Sequence, residues 1–178
     1  MWNLIGSTWG ANPQVLRSTA LGLCFAAGEY GSSVWGASAH TKQVDIALNE
    51  STRIVTGCLR PTPVQKIYPL AGIAPPVIRR RVAAEKERQK LETDPRHSMF
   101  NHKVTTPRLR SRKSFIKRTV PLHTKPDVRR VSLWKQIVPE GFTPKEELSS
   151  GSHLPYTTWR SLNRMRTGVP KCRSNLVE

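Results

Sequence analysis

The chain has 178 residues, of which 37% are apolar and 14 are proline, so we expect one domain with a tail and not a protein that is packed throughout. Its formal net charge is +17 and its isoelectric point is near 10.8. A positive field of this size requires a polyanionic partner. Nucleic acid is favoured because its binding releases counterions, and an acidic membrane surface is the rival.

The positive charge is uneven along the chain. Residues 1–74 carry a net charge of +2, residues 75–135 carry +13, and residues 136–178 carry +2. The first part is therefore interpreted as a packed core and the middle as an electrostatic arm.

Cysteines and apolar stretches give little sign of secretion or a membrane. Cys24, Cys58 and Cys172 are an odd number without paired spacing, so neither a disulfide framework nor a zinc site is indicated. The apolar stretch at residues 20–27 is far shorter than the roughly 20 residues of a membrane span, and it begins too late for a signal peptide. We expect an intracellular protein, in the nucleus or cytoplasm, that is neither secreted nor membrane-spanning.

The first predicted helix begins at Asn12 and Pro13, because asparagine caps a helix well and proline suits its first position. Apolar residues then recur at spacings of three and four, which places them on one helical stripe. The stripe is Leu16, Ala20, Leu23, Ala27, Tyr30 and Val34. We expect this stripe to be buried.

A second helix is predicted from about residue 41 to Gly57, where a left-handed residue is often needed. Its apolar face comprises Val44, Leu48, Ser51, Val55 and Cys58. A third, short helix begins with the Thr62-Pro63 pair, and Pro69 and Gly72 are expected to stop it.

A fourth helix is expected from Val77 to Glu92, opened by two prolines. It has few apolar residues after Val82, so it is interpreted as a solvated, charged helix that extends from a small bundle. Beyond it, residues 93–126 lose all periodicity and are predicted to form a basic, largely disordered linker.

Short helices are predicted in residues 127–178. Asp127 can cap the first of them. Its inward residues are Val128, Val131, Trp134 and Val138. The face of the last helix is Tyr156, Trp159 and Leu162, and the helix ends near Gly168. The predicted fold class is all-α: a small helical bundle over residues 1–74, a basic helix over 75–92, the disordered arm, and short C-terminal helices.

No residues that could catalyse a reaction are visible. A polymerase needs acidic residues that hold two metal ions, but Asp45, Asp94 and Asp127 stand alone in different segments. The chain has no glycine-rich phosphate loop and no metalloprotease motif. Its histidines are scattered singly on polar stretches. The sequence therefore predicts no enzyme activity, no metal site and no cofactor for this chain.

Ordered residue pairs resemble a known family. They are Glu29-Tyr30, Val34-Trp35, Val44-Asp45, Leu48-Asn49, Arg53-Ile54, Thr56-Gly57, Pro61-Thr62-Pro63, the run from Leu70 to Pro76, and Arg79-Arg80. In this order and spacing they resemble the region just after the catalytic palm of jockey-type non-LTR retrotransposon reverse transcriptases. A later island, Leu162 to Gly168, is similar to a downstream Leu-Asn-Arg-Leu-Arg-Thr-Gly box of the same family.

The resemblance implies that residues 1–74 form the thumb, a helical subdomain that grips the template–primer duplex. The parent activity is RNA-directed DNA synthesis with Mg²⁺ held by palm aspartates. The palm is expected upstream of Met1 and the Cys/His-rich segment beyond Glu178, so the chain is a non-catalytic fragment. The palm of a parent polymerase would be a partner if both are translated in one frame.

Three basic clusters are candidates for nucleic-acid contact, because guanidinium groups fit phosphate oxygens. The candidate residues are Arg79, Arg80, Arg81 and Arg88 on the fourth helix; Arg108, Arg110, Arg112, Lys113, Phe115, Lys117 and Arg118 in the arm; and Arg160, Arg164 and Arg166 on the last helix. Phe115 could stack on an unpaired base. A solvated charged face, cationic capping of a helix end, and an arm that serves nuclear localisation or anionic membranes are the alternatives.

The predicted function is electrostatic, sequence-nonspecific binding of RNA, DNA or an RNA–DNA hybrid, through phosphates and without base readout. One alternative is a transposon remnant with no selected partner. Another is a host protein that retains the fragment as a nucleic-acid-binding interaction module.

Overall fold

The computed structural model describes residues 4–6, 9–102 and 118–169. Apart from an isolated β-bridge between Ile5 and Gly10, every regular element in these ranges is helical. The elements are α1 (Pro13–Thr19), a π-helical segment (Ala20–Phe25), α2 (Ala26–Glu29), α3 (Ser32–Trp35), α4 (Thr41–Thr56), α5 (Val64–Ala71), α6 (Pro76–Thr93), α7 (Pro126–Trp134) and α8 (Tyr156–Thr167). The prediction of an all-α helical bundle is confirmed.

The π-helical segment changes which residues of the first helix are buried. Leu16, Ala20 and Phe25 are fully buried, whereas Leu23 and Tyr30 of the predicted stripe are 67% and 87% exposed. A π-helical turn bonds residues five apart, so Phe25 follows Ala20 on the buried face in place of a residue three or four positions on. The predicted stripe is therefore wrong beyond Ala20.

The ends of α1, α4 and α5 largely follow the prediction. Asn12 caps α1 as expected, with its Oδ1 accepting from the Gln14 amide at 2.8 Å. Gly57 ends α4 in the left-handed conformation, and Gly72 ends α5 in the same way. Pro69 does not stop α5 as predicted but lies inside it, since its missing N–H removes only one bond from the helix.

Helix α6 is not the solvated extension that its sequence suggests. Arg80 is 7% exposed, Glu85 is 2% exposed and Leu91 is 3% exposed. The segment after the basic arm packs on it, because the Leu122 amide donates to the Glu85 carbonyl at 3.2 Å and the Leu122 side chain is buried. Charged residues of α6 are thus part of the interior and need partners there.

Helices α7 and α8 differ from the prediction only in detail. Lys125, and not Asp127, occupies the cap position of α7, and Asp127 lies in its first turn. Val128 is 58% exposed and is not the inward residue that the periodicity predicted. Helix α8 ends at the left-handed Gly168, as predicted.

Among the described residues, one hydrophobic core combines early and late helices. Leu16 and Val55 belong to the same buried cluster as Leu122, Trp134 and Trp159. Residues of the predicted segments 1–74, 93–126 and 127–178 therefore contribute to one core. This arrangement positions the arginines of α6 and α8 against the early helices.

Candidate nucleic-acid interface

Arg79 joins the start of α6 to the end of α2. Its Nε and Nη2 donate to the two carboxylate oxygens of Glu29 at 2.5 and 3.0 Å, and its guanidinium carbon lies 5.2 Å from the ring centre of Phe25. Both side chains of the ion pair are less than one-fifth exposed. Arg79, a predicted nucleic-acid contact, therefore holds two helices together in the described structure.

Arg80 has a similar role toward α4. It forms a bidentate pair with Asp45, in which Nη2 donates to Oδ2 at 3.0 Å, and it lies 5.7 Å from the ring centre of Trp35. A buried guanidinium needs such a carboxylate, because an unpaired charge in this position is strongly unfavourable.

Arg81 is the exposed member of the run, with 58% of its side chain accessible. Its Nε donates to Glu85 at 3.1 Å, and Arg129 of α7 donates to the same carboxylate at 2.9 and 3.2 Å. Burial raises the pKa of Glu85, but the hydrogen bonds and charges of Arg129 and Arg81 outweigh it, and the net effect lowers that pKa. Arg88 pairs with Glu92 at 2.7 Å and is one-quarter exposed.

A concave surface beside α6, here called the α6 pocket, collects three of the predicted contacts. Its volume is about 220 Å³. Among its lining residues are Ser32, Ser33, Arg80, Arg81, Arg118 and Thr119. Arg118 is exposed and directly follows the basic residues 103–117. The α6 pocket thus places two exposed guanidinium groups and several hydroxyl groups where the arm rejoins the helices.

Helix α8 caps the C-terminal end of α4. The last carbonyl groups of a helix have no partner within it. Four side chains of α8 supply donors to four consecutive carbonyls. They are Tyr156 to Ile54, Trp159 to Val55, Asn163 to Thr56 and Arg164 to Gly57, at 2.8, 2.9, 3.0 and 2.8 Å.

Gly57 makes this approach possible. Its φ of +68° lies in the left-handed region, and a Cβ there would overlap Cβ of Arg160 and lie 3.0 Å from its Cα. Only glycine meets both requirements at no cost. The Thr56-Gly57 pair that signals a helix end in the sequence therefore also sets how closely α8 packs.

A second concave surface, here called the α4–α8 pocket, lies at this junction. Its volume is about 230 Å³. Its charged lining residues are Glu50, Arg53, Arg60, Arg160 and Arg164. Burial lowers the pKa of Arg164, and the neighbouring charge of Arg160 lowers it further. The pocket brings together two predicted contacts, Arg160 and Arg164.

Arg53 and Arg60 are pocket residues that the sequence interpretation missed. Their sequence positions could have indicated them. Arg53 lies three residues before Thr56 and Arg60 lies three residues after Gly57, so both lie close to any element that packs on this helix end. Arg53 donates to the carbonyls of Leu59 and Thr62 at 2.7 and 2.9 Å.

The remaining predicted contacts lie elsewhere. Arg166 donates to the carbonyl and the hydroxyl of Ser150 at 2.9 and 2.8 Å, away from both pockets. Six predicted contacts fall outside the described residues. They are Arg108, Arg110, Arg112, Lys113, Phe115 and Lys117.

Within the described ranges, no group of three or more histidine, cysteine or acidic side chains could hold a metal ion. No helix among the described residues is long and apolar enough to cross a bilayer. No family model, curated protein or solved structure matches the chain. The resemblance to jockey-type reverse transcriptases accordingly remains an expectation from the quoted residues.

Proposed function

We propose that this chain is a non-catalytic, thumb-derived fragment of a retrotransposon RNA-directed DNA polymerase that binds RNA, DNA or their hybrid without sequence preference. The observation that carries the proposal is the α6 pocket, with Arg81 and Arg118 at the edge of the basic arm. Exposed guanidinium groups beside a charge-dense segment suit a sugar-phosphate backbone.

Internal pairing of the acidic residues supports this proposal. Eight acidic side chains of the described residues form ion pairs with basic ones. Residues 103–117 contain six lysines and arginines and no acidic residue. The surplus positive charge is therefore concentrated where few carboxylates can neutralise it, which favours a polyanionic partner.

Exposed apolar side chains near the start of the chain support the fragment origin. Leu23, Tyr30 and Val34 are 67%, 87% and 77% exposed, whereas Leu16, Ala20 and Phe25 of the same part of the chain are fully buried. Large apolar side chains exposed within one short segment suit a surface that packs on a partner. We propose that the parent polymerase's palm covers these residues when both parts are translated together.

The test is the salt dependence of binding to a fluorescent RNA–DNA hybrid, measured by anisotropy. We expect affinity to fall about tenfold between about 50 and 200 mM salt for every two phosphate contacts. Arg81→Gln should weaken binding and lower the slope of log affinity against log salt by about one. Glu85 keeps Arg129 as its partner in this variant, so the fold is retained.

Lys90→Gln is the matched control. Lys90 lies on the opposite side of α6, is 50% exposed and pairs with Glu87 at 3.4 Å, much as Arg81 pairs with Glu85. Both variants remove one positive charge from the same helix. Equal losses in the two variants would show that only net charge matters, and affinity that does not change with salt would refute the proposal.

A further inference from the structure

The α4–α8 pocket has a strong excess of positive charge within a small volume. Four arginines and one glutamate line its roughly 230 Å³. Tyr156 and Cys58 also line it but add no negative charge at neutral pH, because burial raises the pKa of the tyrosine to about 12 and raises that of the thiol. Glu50 is the only carboxylate among the described residues that line the pocket, and its Oε1 lies 3.7 Å from Nε of Arg53.

Two of the arginines are held in place before any ligand arrives. Arg53 has 10% of its side chain exposed, and both terminal nitrogens are oriented by the carbonyls of Leu59 and Thr62. Arg164 uses its Nε to bond the Gly57 carbonyl at 2.8 Å. This bond restrains the plane of the guanidinium group, and restrained donors lose little entropy when an anion binds.

The C-terminal end of α4 opposes an anion only weakly. A helix end carries about half a negative charge, and its carbonyls at the pocket already accept hydrogen bonds from α8. Arg60 is exposed at the pocket rim. Burial is the main cause of the lowered pKa of Arg164, and the charge of Arg160 lowers it further, so a bound anion would relieve the repulsion between these two arginines.

We propose that the α4–α8 pocket binds a phosphate group. A phosphate has up to two charges and three terminal oxygens, so it can accept hydrogen bonds from several guanidinium groups at once, whereas a carboxylate offers two oxygens and one charge. Its source is either the terminal phosphate of a nucleic acid or a free phosphate compound. This inference goes beyond the proposed function, because it requires neither the α6 pocket nor the arm.

Pyrophosphate is the probe, and its binding is measured by isothermal titration calorimetry with the full chain. Arg60→Ala should weaken binding by about tenfold, since a charged hydrogen-bond donor is lost. Arg60 is exposed on the turn after α4, so its removal leaves the core intact. Arg96→Ala is the matched control: it removes the same charge from an exposed turn outside the pocket and should leave affinity within about twofold.

A second variant tests the role of geometry. Arg164→Lys keeps the charge but loses the planar fork, so it should also weaken pyrophosphate binding while circular dichroism reports an unchanged helix content. Absence of pyrophosphate binding at millimolar concentration, or equal affinities for Arg60→Ala and Arg96→Ala, would overturn the proposal.

The two sources are separated with one oligonucleotide that carries either a terminal phosphate or a terminal hydroxyl group. Tighter binding of the phosphorylated form, lost in Arg60→Ala, assigns the pocket to nucleic-acid ends. Equal binding of both forms, with pyrophosphate binding retained, assigns it to a free phosphate compound. Binding to the RNA–DNA hybrid in Arg81→Gln reports separately on the α6 pocket, so failure of either proposal is distinguishable.

Discussion

Helix α4 is joined to the rest of the molecule in two ways. Near its start, Asp45 offers a carboxylate to the buried Arg80 of α6. At its other end, four consecutive backbone carbonyls accept side-chain donors from α8, three of which are uncharged. The first contact, here called the ion-pair joint, depends on Arg80 and Asp45. The second, here called the α4–α8 joint, depends on a close approach of two helices that Gly57 permits.

The comparison shows why a run of arginines is ambiguous in a sequence. Arg80 and Arg81 are neighbours and both line the α6 pocket, yet the side chain of Arg80 is 7% exposed and that of Arg81 is 58% exposed. Asp45, the partner of Arg80, lies 35 residues away in the sequence, whereas Glu85, the partner of Arg81, lies four residues away on the same helix. Charge density alone therefore cannot separate arginines that stabilise the fold from arginines that face a ligand.

The largest effect is expected at the α4–α8 joint. Gly57→Ala would put a side chain in the left-handed region and against the Arg160 backbone, so α8 must move and its hydrogen bonds weaken. We expect a loss of about 3–5 kcal/mol in the free energy of unfolding by urea denaturation.

Gly168→Ala is the control for this substitution. Gly168 has a φ of +74°, but no atom of the described residues lies within 4 Å of its Cβ position, so among these residues only the conformational cost of about 1 kcal/mol remains. Similar losses in the two variants would mean that the close approach of α8 contributes nothing to stability.

The ion-pair joint should respond next most strongly. Asp45→Asn leaves the buried Arg80 without a carboxylate, which typically costs about 3 kcal/mol. Asp127→Asn is the control, because Asp127 is 74% exposed and Arg130 keeps its second partner, Glu146. A change below about 0.5 kcal/mol is expected there. If the two variants unfold at the same urea concentration, the Arg80–Asp45 pair does not hold the joint.

A smaller effect measures one hydrogen bond of the α4–α8 joint. Tyr156→Phe removes the hydroxyl that donates to the Ile54 carbonyl and should cost about 1 kcal/mol. Tyr30→Phe removes a hydroxyl from a side chain that is 87% exposed and should change stability by less than about 0.5 kcal/mol. Thermal unfolding followed by circular dichroism at 222 nm, the usual helix band, compares the two, and a Tyr156→Phe curve that overlays the unmodified protein would contradict this assignment.

The sequence predicted the helices where local signals are strong. Asn12, Gly57 and Gly168 mark helix ends in the structure as they do in the sequence, because capping and left-handed turns depend on nearest neighbours. The apolar face of α4 followed its three- and four-residue spacing for the same reason. These features need no information from distant parts of the chain.

Other features could not be predicted because they depend on distant contacts. The π-helical segment moved Phe25 into the core against a regular spacing, and nothing local specifies it. Glu85 is buried because α7 supplies Arg129 from 44 residues away. For the candidate sites, the sequence indicated Arg81, Arg160 and Arg164, but only tertiary packing assembled them with their pocket partners.

The smallest expected effect is the pH dependence of the stability that Glu85 contributes at the α6–α7 contact. Because the folded-state pKa of Glu85 is lowered, its contribution to stability is complete above the usual glutamate pKa of about 4.3 and is lost as the pH falls through the folded value. Glu85→Gln should therefore be less stable than the unmodified protein at neutral pH, and the difference should shrink as the solution is acidified below that value. Urea midpoints across this range measure it, with the exposed Glu140→Gln as control. A constant difference would mean that the Arg81–Glu85–Arg129 contacts act through packing and not through charge. The α6–α7 contact would then resemble the α4–α8 joint, and the Arg80–Asp45 pair would be the charge-dependent contact of the two regions compared.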